Sequence, residues 1–226
     1  NGKTEITPAL DNIFLDCGCN TKEEVEALGV HVGCVITYED EFMVLNKRRF
    51  VGRALDNRMG GFMIAEVARL LKENKVKLPF GLYITNSVQE EVGLRGAKGA
   101  AFTLQPDIAI VLEGTAANDL GDTRERFQVC VPGQGVAVSF MDLASIADRQ
   151  LFQQMREVAK ERGIPHQVKR SVTGGNDAGS FQQAGKGART VVLSVPCRYI
   201  HSGNNVASLS DIKAQADLAV AFLHSL

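Results

Sequence analysis

From about Arg53 onward, the sequence alternates amphipathic helical segments with short runs that are almost entirely apolar. Met59 to Glu73 carries apolar residues at the spacing of a helix that buries one face, and Arg149 to Arg162 and Ser210 to Leu226 are further predicted helices. Runs that are apolar on both faces are typical of strands in a covered sheet. The pattern predicts an α/β fold with helices on both faces of a mixed, largely parallel sheet. The predicted strands are Phe80 to Val88, Ile108 to Leu112, Val136 to Phe140 and Thr190 to Val195.

Residues 1–52 follow a different pattern, which predicts a small β unit. We expect strands over Asn12 to Asp16, Cys34 to Tyr38 and Phe42 to Leu45, and a short helix over Thr21 to Leu28 that begins with a capping box. This amount of β structure needs more strands to close a core. The stretch is therefore predicted to be part of a domain rather than a whole one.

The charge balance excludes two classes of partner. The 226 residues include 25 basic and 26 acidic side chains, for a formal net charge of −1. This is not the electrostatic pattern of a general nucleic-acid or anionic-membrane binder. No apolar run in the sequence approaches the ~20 residues that span a bilayer. We therefore expect neither a nucleic acid nor a membrane as partner.

The cysteines indicate a reducing compartment. There are five, an odd number, scattered along the chain, and the first residues lack the pattern of a signal peptide. We expect a cytoplasmic protein without a disulfide framework. The close pair Cys17 and Cys19 is interpreted as two ordinary thiols, with metal binding or a redox function as the alternative. The other cysteines are Cys34, Cys130 and Cys197.

Ionisable side chains follow the predicted strands or precede the predicted helices. In α/β sheets, ligands bind beyond the carboxyl ends of the strands, so side chains from these positions should lie close together. The sequence therefore predicts one cluster of carboxylates with a histidine. Its members are Asp56, Glu90, Glu91, Glu113, Asp177 and His201.

Each of these residues also has a purely structural interpretation. Asp56 suits the N-cap of the following helix, and Asp177 suits a turn beside glycines. Glu90 and Glu91 are compatible with a solvated helix start, and His201 with an ordinary surface histidine. Glu113 is harder to explain, because an unpartnered carboxylate directly after a buried strand is costly. The histidines without carboxylate neighbours are expected to be structural: His31, His166 and His224.

Taken together, the candidates predict a metal site. Carboxylates at one sheet edge repel one another unless a positive charge lies among them, and one or two divalent cations would supply it. A shared carboxylate, one further carboxylate per metal and a histidine are typical of co-catalytic hydrolase sites. In an extended stretch, Glu90 and Glu91 point in opposite directions, so one can bind metal while the other faces the attacking water. This arrangement disfavours a glycosidase pair, whose carboxyl groups lie ~5–9 Å apart across a sugar.

Several segments resemble the M42 family of metalloaminopeptidases. This group includes tetrahedral aminopeptidases, glutamyl aminopeptidases and proteins labelled endoglucanase M. The stretch Gln89-Glu-Glu-Val-Gly-Leu-Arg-Gly-Ala97 is the most specific of the segments, whereas Gly-Gly-x-Asp alone is a weak signal. The other segments are Ala54-Leu-Asp-Asn-Arg58, Leu112-Glu-Gly-Thr115, Gly174-Gly-Asn-Asp177 and Arg198-Tyr-Ile-His-Ser202.

The resemblance implies a three-layer αβα, zinc-exopeptidase-like catalytic domain over residues 53–226. Residues 1–52 would be part of a small inserted β-barrel domain used in assembly, and the protein would form a homo-oligomer of up to twelve subunits. The family also has a His-x-Asp motif before the inserted domain, and this sequence contains none. We therefore expect that the N-terminal portion of the catalytic domain is missing from this chain.

The resemblance also implies roles for the clustered residues. Asp56 would bridge two divalent metal ions, zinc or cobalt, and Glu90 would be the general base. Glu91 and His201 would complete one metal site, and Glu113 would bind the other metal in place of the more usual Asp. Asp177 would support the site, and the substrates would be short peptides.

Other functions stay open at this point. The chain could be a catalytically incomplete metal-binding subunit, or a related metal-dependent deacylase or carboxypeptidase. A glucanase is disfavoured, because the sequence has no Trp and its candidate carboxylates include an adjacent pair.

Overall fold

The computed structural model describes residues 13–37, 39, 41–121 and 123–226, and the chain divides into two compact units, residues 1–39 and 40–226. The first unit contains helix α1, Lys22–Ala27, which begins with the predicted capping box: Thr21 Oγ1 accepts a hydrogen bond from the Glu24 N–H at 3.2 Å. The strands predicted around residues 12–16 and 34–38 are wrong for residues 13–16 and 34–37, which pair with no other segment that the structure describes. Asn12 and Tyr38 lie outside the described residues.

The second unit contains seven strands and five α-helices in its described part, with a single 3₁₀ turn at Glu125–Phe127. The strands are β1 (Met43–Leu45), β2 (Arg49–Gly52), β3 (Ile108–Ala116), β4 (Val136–Ser139), β5 (His166–Val168), β6 (Arg189–Arg198) and β7 (Asn205–Ser208). The helices are α2 (Leu55–Glu73), α3 (Arg95–Leu104), α4 (Arg149–Glu161), α5 (Ala178–Gln183) and α6 (Leu209–Leu223). None of the helices in the described ranges is both long and apolar enough to cross a membrane.

Strand β6 organises the sheet. Along one edge it pairs in parallel with β3, from Ile108 opposite Arg189 to Ala116 opposite Cys197. Along its other edge it pairs antiparallel with β4 and, further on, with β7. β5 extends the sheet beside β4, and β2 and β1 extend it beside β7. The sheet is therefore mixed and open, as predicted.

The pairing of β2 with β7 joins residues on both sides of the expected domain boundary at residue 53 in one sheet. The expectation above gives residues 43–52 to the barrel. In the structure they lie in the main sheet, and the second compact unit begins at residue 40. A short hairpin is stable only when a larger sheet continues it. The inserted barrel itself stays a prediction.

Helices cover both faces of the sheet, which confirms the predicted layering. On one face, α2, α4 and α6 bury side chains such as Met63, Met155 and Phe222 against the strands. On the other face, α3 and α5 pack Ala101 and Phe181 against Ala109 of β3. Because successive side chains of a strand point to opposite faces, β3 contributes to both cores.

The strand predicted over Phe80 to Val88 is wrong. This segment has no regular secondary structure, and its apolar side chains are largely exposed, with Tyr83 at 68%. Among the described residues, β3 pairs only with β6, so its outer edge has no strand partner. A groove of about 1280 Å³ is lined by both the 80–87 segment and β3. An apolar run becomes a strand only where it pairs with a neighbouring edge, and the 80–88 segment forms no strand pairing with the free edge of β3.

Helix α2 crosses β3 closely because Gly60 has no side chain. The Asn57 amide donates to the Leu112 carbonyl at 2.9 Å and accepts from the Gly60 N–H at 2.8 Å. A Cβ atom at position 60 would overlap the Asn57 side chain and the Leu112 carbonyl oxygen. At Gly61, by contrast, the nearest atom to an added Cβ is Asn86 Oδ1 at 3.9 Å.

We expect Gly60→Ala to lower the free energy of unfolding by about 1–3 kcal/mol, because the helix must move away from the strand. Gly61→Ala is the matched control on the same helix and should raise the free energy of unfolding by about 0.5–1 kcal/mol through helix propensity. Urea denaturation of both variants measures the difference. Equal stability of the two variants would contradict the close helix–strand contact.

Helix α4 begins at a charged N-cap. Asp148 accepts a hydrogen bond from the Leu151 N–H at 3.0 Å and two from the Arg189 guanidinium at 3.0 Å each. The Arg189 bonds, and secondarily the Leu151 N–H, lower the pKa of Asp148 to about 2. Because an unfolded Asp has a pKa of about 3.9, the pair stabilises the fold above pH ~4 and loses this effect as the pH falls towards 2.

Asp148→Asn keeps a good N-cap but removes the charge. We expect it to cost about 0.5–1 kcal/mol of unfolding free energy at pH 7, since Arg189 is partly exposed, and the difference from wild type should shrink between pH 4 and 2. Denaturation at several pH values tests this expectation. Asp217→Asn, which breaks an exposed Lys213–Asp217 pair on α6, is the control and should stay within about 0.5 kcal/mol of wild type throughout.

Candidate functional site

Three predicted residues meet at one end of the sheet. His201 Nε2 lies 3.2 Å from Asp56 Oδ2 and 3.5 Å from Glu91 Oε2. One ligand atom from each residue lies within 4.8 Å of the other two. One imidazole and two carboxylates are a suitable donor set for a divalent cation such as zinc. The residues present therefore fit a metal ion.

Each of the three side chains comes from a different segment. Asp56 lies in the first turn of α2, where Asp56 and Asn57 have non-helical backbone angles. Its interpretation as an N-cap is wrong, because the N-cap is Ala54, in the left-handed region at φ 49°. Glu91 lies in the turn before α3, and His201 lies in the turn between β6 and β7.

Glu113 lies next to Asp56 but outside this three-residue cluster. It is within β3 rather than after the strand, and only 9% of its surface is exposed. Burial raises its pKa well above the usual range, and a hydrogen bond with the Asp56 carboxyl and the charges of Asp56 and Glu90 raise it further. A cation at this position would favour the ionised form of Glu113, because an opposite charge nearby lowers the pKa of a carboxyl group.

Glu90 is half-buried beside the cluster. Burial raises its pKa to about 7, and the nearby charges of Glu91, Asp177 and Asp56 add to this effect, while His201 opposes it. A carboxylate with a pKa near neutrality is suited to accept and return a proton. Its environment therefore differs from that of the adjacent Glu91, which is exposed.

Asp177 lies in the loop before α5. The Ser87 hydroxyl donates to Asp177 Oδ2, while Oδ1 is buried and has no hydrogen-bond partner within the described part of the chain. Burial raises the pKa of Asp177. The adjacent Asn176 fixes this loop, since its side chain donates to Asp142 at 2.8 Å and accepts from the Ala178 N–H at 3.0 Å.

The structure thus brings together all six residues that the sequence singled out, through direct contacts or through their mutual charge effects. The groove that borders β3 reaches four of them, because Glu90, Glu91, Glu113 and Asp177 line it. The supporting residues Ser87 and Asn57 were missed. Both are uncharged, and their only sequence signal is proximity to a selected carboxylate, Glu90 or Asp56.

The remaining histidines and cysteines lie elsewhere. The rings of His31 and His166 face the backbone carbonyls of Val32 and Ile164 at 2.9 and 3.0 Å, and His224 follows the end of α6. All five cysteines are free, and none belongs to a potential metal-binding group among the residues described. Burial raises the pKa of the Cys130 and Cys197 thiols to about 12, so both thiols are protonated at neutral pH.

Comparisons of sequence find relatives that are named as aminopeptidases. The sequence model of the family described as M42 glutamyl aminopeptidase matches residues 1–218. A lysyl aminopeptidase of Pyrococcus furiosus is 36% identical over 217 residues, which are 96% of this chain and 60% of that protein. A glutamyl aminopeptidase of Lactococcus lactis is 30% identical over 227 residues, covering 100% of this chain and 62% of that protein. The chain spans about three-fifths of the length of these relatives.

Solved structures of aminopeptidases are also similar to this chain. An aminopeptidase of the archaeon Desulfurococcus kamchatkensis superposes with a TM-score of 0.94 at 30% identity, over 99% of this chain and 62% of that one. The TET1 peptidase of Pyrococcus horikoshii, which can assemble into a tetrahedron or a large octahedral shell, superposes with a TM-score of 0.68 at 29% identity, over 82% of this chain and 53% of that one.

Proposed function

Because the chain belongs to the M42 glutamyl aminopeptidase family, we propose that it is a metal-dependent aminopeptidase that removes N-terminal residues from short peptides. The observation that supports this proposal most strongly is the approach of ligand atoms from Asp56, Glu91 and His201 to within 4.8 Å of one another. A half-buried Glu90, with a pKa of about 7, lies beside them. Metal-dependent hydrolysis of a peptide bond requires a metal site and an adjacent proton acceptor, and this cluster provides groups suited to both roles.

The ligands would divide between two divalent ions in this proposal. Asp56 would be shared by both ions, Glu91 and His201 would hold one, and Glu113 would hold the other. The position of Glu113, buried beside the Asp56 carboxyl, supports this assignment, because carboxyl groups in such positions need a positive partner. Zinc and cobalt both suit such nitrogen and oxygen donors. When bound, the ions would lower the pKa of a coordinated water and polarise the scissile carbonyl.

Glu90 is the general base in this proposal. Its carboxylate accepts a proton as the water attacks the carbonyl carbon, and it then passes this proton to the leaving amine. The raised pKa of Glu90 favours both transfers, because the same group must gain and lose the proton near neutral pH. Asp177 supports the site from the loop before α5, and its unpartnered Oδ1 is available to a cationic group of a bound peptide, such as its α-amine.

Assembly into a homo-oligomer belongs to the same proposal. The P. horikoshii peptidase that superposes on this chain can assemble into a tetrahedron or an octahedral shell. Such peptidase assemblies are built from copies of one chain, which makes self-association the corresponding expectation for this protein.

Glu90→Gln is expected to lower kcat by about 10²- to 10⁴-fold, because the amide cannot accept the proton. Binding of Co²⁺ should change little, since Glu90 is not a proposed ligand. Hydrolysis of lysyl, glutamyl and leucyl anilides, together with calorimetric titration of Co²⁺, measures both effects. Glu73→Gln, at an exposed position late in α2, is the matched control and should keep wild-type turnover.

Three results would reject parts of this proposal. Wild-type turnover in Glu90→Gln would remove Glu90 as the base. Hydrolysis of an N-acetylated anilide as fast as of the free-amine anilide would indicate a deacylase instead of an aminopeptidase. Tight binding of two Co²⁺ ions without any hydrolysis would instead indicate a metal-binding subunit.

His201→Ala should weaken Co²⁺ binding by at least about tenfold, because it removes the neutral nitrogen ligand and leaves carboxylates alone. His166→Ala is the matched control, since the His166 ring, on β5, contacts the Ile164 backbone carbonyl and not the cluster. Calorimetric titration of the metal-free proteins gives the dissociation constants. Equal constants for the two variants would argue against His201 as a ligand.

A further inference from the structure

Asn205 has a buried amide side chain that forms hydrogen bonds through both its nitrogen and its oxygen. It is the first residue of β7 and is only 1% exposed. Its Oδ1 accepts a hydrogen bond from the Leu55 N–H at 3.0 Å. Its Nδ2 donates to the Tyr199 carbonyl at 2.7 Å and to the Ser202 carbonyl at 3.1 Å. Both amide hydrogens and the carbonyl oxygen are therefore used.

These three bonds connect two segments of the candidate metal site. Leu55 directly precedes Asp56, and Tyr199 and Ser202 lie on either side of His201. One side chain is thus bonded to the backbone next to both residues of the pair whose side chains lie 3.2 Å apart. Arg198, which forms two bonds with Asp119 at 2.9 and 2.7 Å, fixes only the beginning of the His201 turn.

Both segments need an external partner to keep their conformations. In the His201 turn, Tyr199 and His201 have φ values of 55° and 60°, in the left-handed region that residues with a Cβ disfavour. At the start of α2, the Leu55 N–H has no partner within the helix, and the N-cap Ala54 has no side-chain acceptor. Asn205 supplies the missing acceptor to the helix and two donors to the turn.

We propose that Asn205 is a positioning residue that holds Asp56 and His201 at the separation needed to bind a divalent cation. The metal part of this inference rests on the proposed function. Asn suits the position better than Asp, because a carboxylate would place an oxygen opposite two carbonyl oxygens. The side chain acts through the backbone of both segments and does not itself bind the metal.

The test compares Asn205→Ala and Asn205→Asp with Gln167→Ala. Gln167 of β5 also forms three bonds to backbone groups, with Val131 N–H, Val131 C=O and Gly135 C=O at 2.8, 3.0 and 2.9 Å, but it contacts no residue of the metal cluster. Calorimetric titration with Co²⁺ gives the dissociation constant of each full-length, metal-free variant, and thermal unfolding gives its stability. Loss of a supporting partner of metal ligands typically weakens metal binding by 10- to 100-fold.

We expect both Asn205 variants to bind Co²⁺ about 10- to 100-fold more weakly than wild type. Gln167→Ala should bind Co²⁺ within about twofold of wild type, although it also loses thermal stability. A folded Asn205 variant with wild-type affinity would overturn the inference. An equal loss of affinity in Gln167→Ala would do the same, because the effect would then follow general destabilisation.

Hydrogen exchange in the wild-type protein provides a test that does not depend on any variant folding. The Leu55 amide should be protected in the metal-free protein, since Asn205 Oδ1 already accepts its hydrogen. Exchange of the Leu55 amide at the rate of an unprotected one, measured by NMR, would overturn the inference. If the wild-type protein bound no Co²⁺, the proposed function would be rejected instead. The Leu55 measurement would then decide whether Asn205 holds the start of α2.

Discussion

The close approach of several carboxyl groups at one end of the sheet is the constraint on which the site depends. Burial raises the pKa values of Glu90 and Glu113, and the charges of the neighbouring carboxylates raise them further. A divalent cation at the cluster would offset this repulsion and favour the ionised forms. Metal binding and proton release would therefore be coupled in this arrangement.

The fold brings these groups together through close backbone approaches. Gly60 lets α2 lie against β3 at Leu112, which places Asp56 beside Glu113. Gly114 contributes from the strand side, because a Cβ there would lie 3.3 Å from the Asp56 Cβ. Asp56 is therefore held between α2 and the sheet. Its position depends on small residues as much as on charged ones.

The sequence predicted α2, α4 and α6 and the strands β3, β4 and β6 because their signals are local. Periodic apolar residues define α2, α4 and α6, and the continuous runs in β3, β4 and β6 are covered on both faces. The run from Phe80 to Val88 has the same composition but forms no strand: it lies along the groove beside β3 without pairing with it, and local sequence does not encode such pairing. The clustered ionisable residues were found because they follow predicted strands or precede predicted helices. Asn205 was not, because a single uncharged amide at the start of a short strand gives no comparable signal.

The division between charged and neutral residues at the site has a physical reason. The groups suited to bind cations or move protons are ionisable, and they already repel one another. Any further charged residue used to hold them in place would either add to this repulsion or neutralise a ligand. Neutral side chains avoid both effects: Asn57, Ser87 and Asn205 supply directed hydrogen bonds without changing the net charge of the cluster. The electrostatic balance would therefore be left to a cation bound at the cluster, while the geometry is set by amides, a hydroxyl group and glycines.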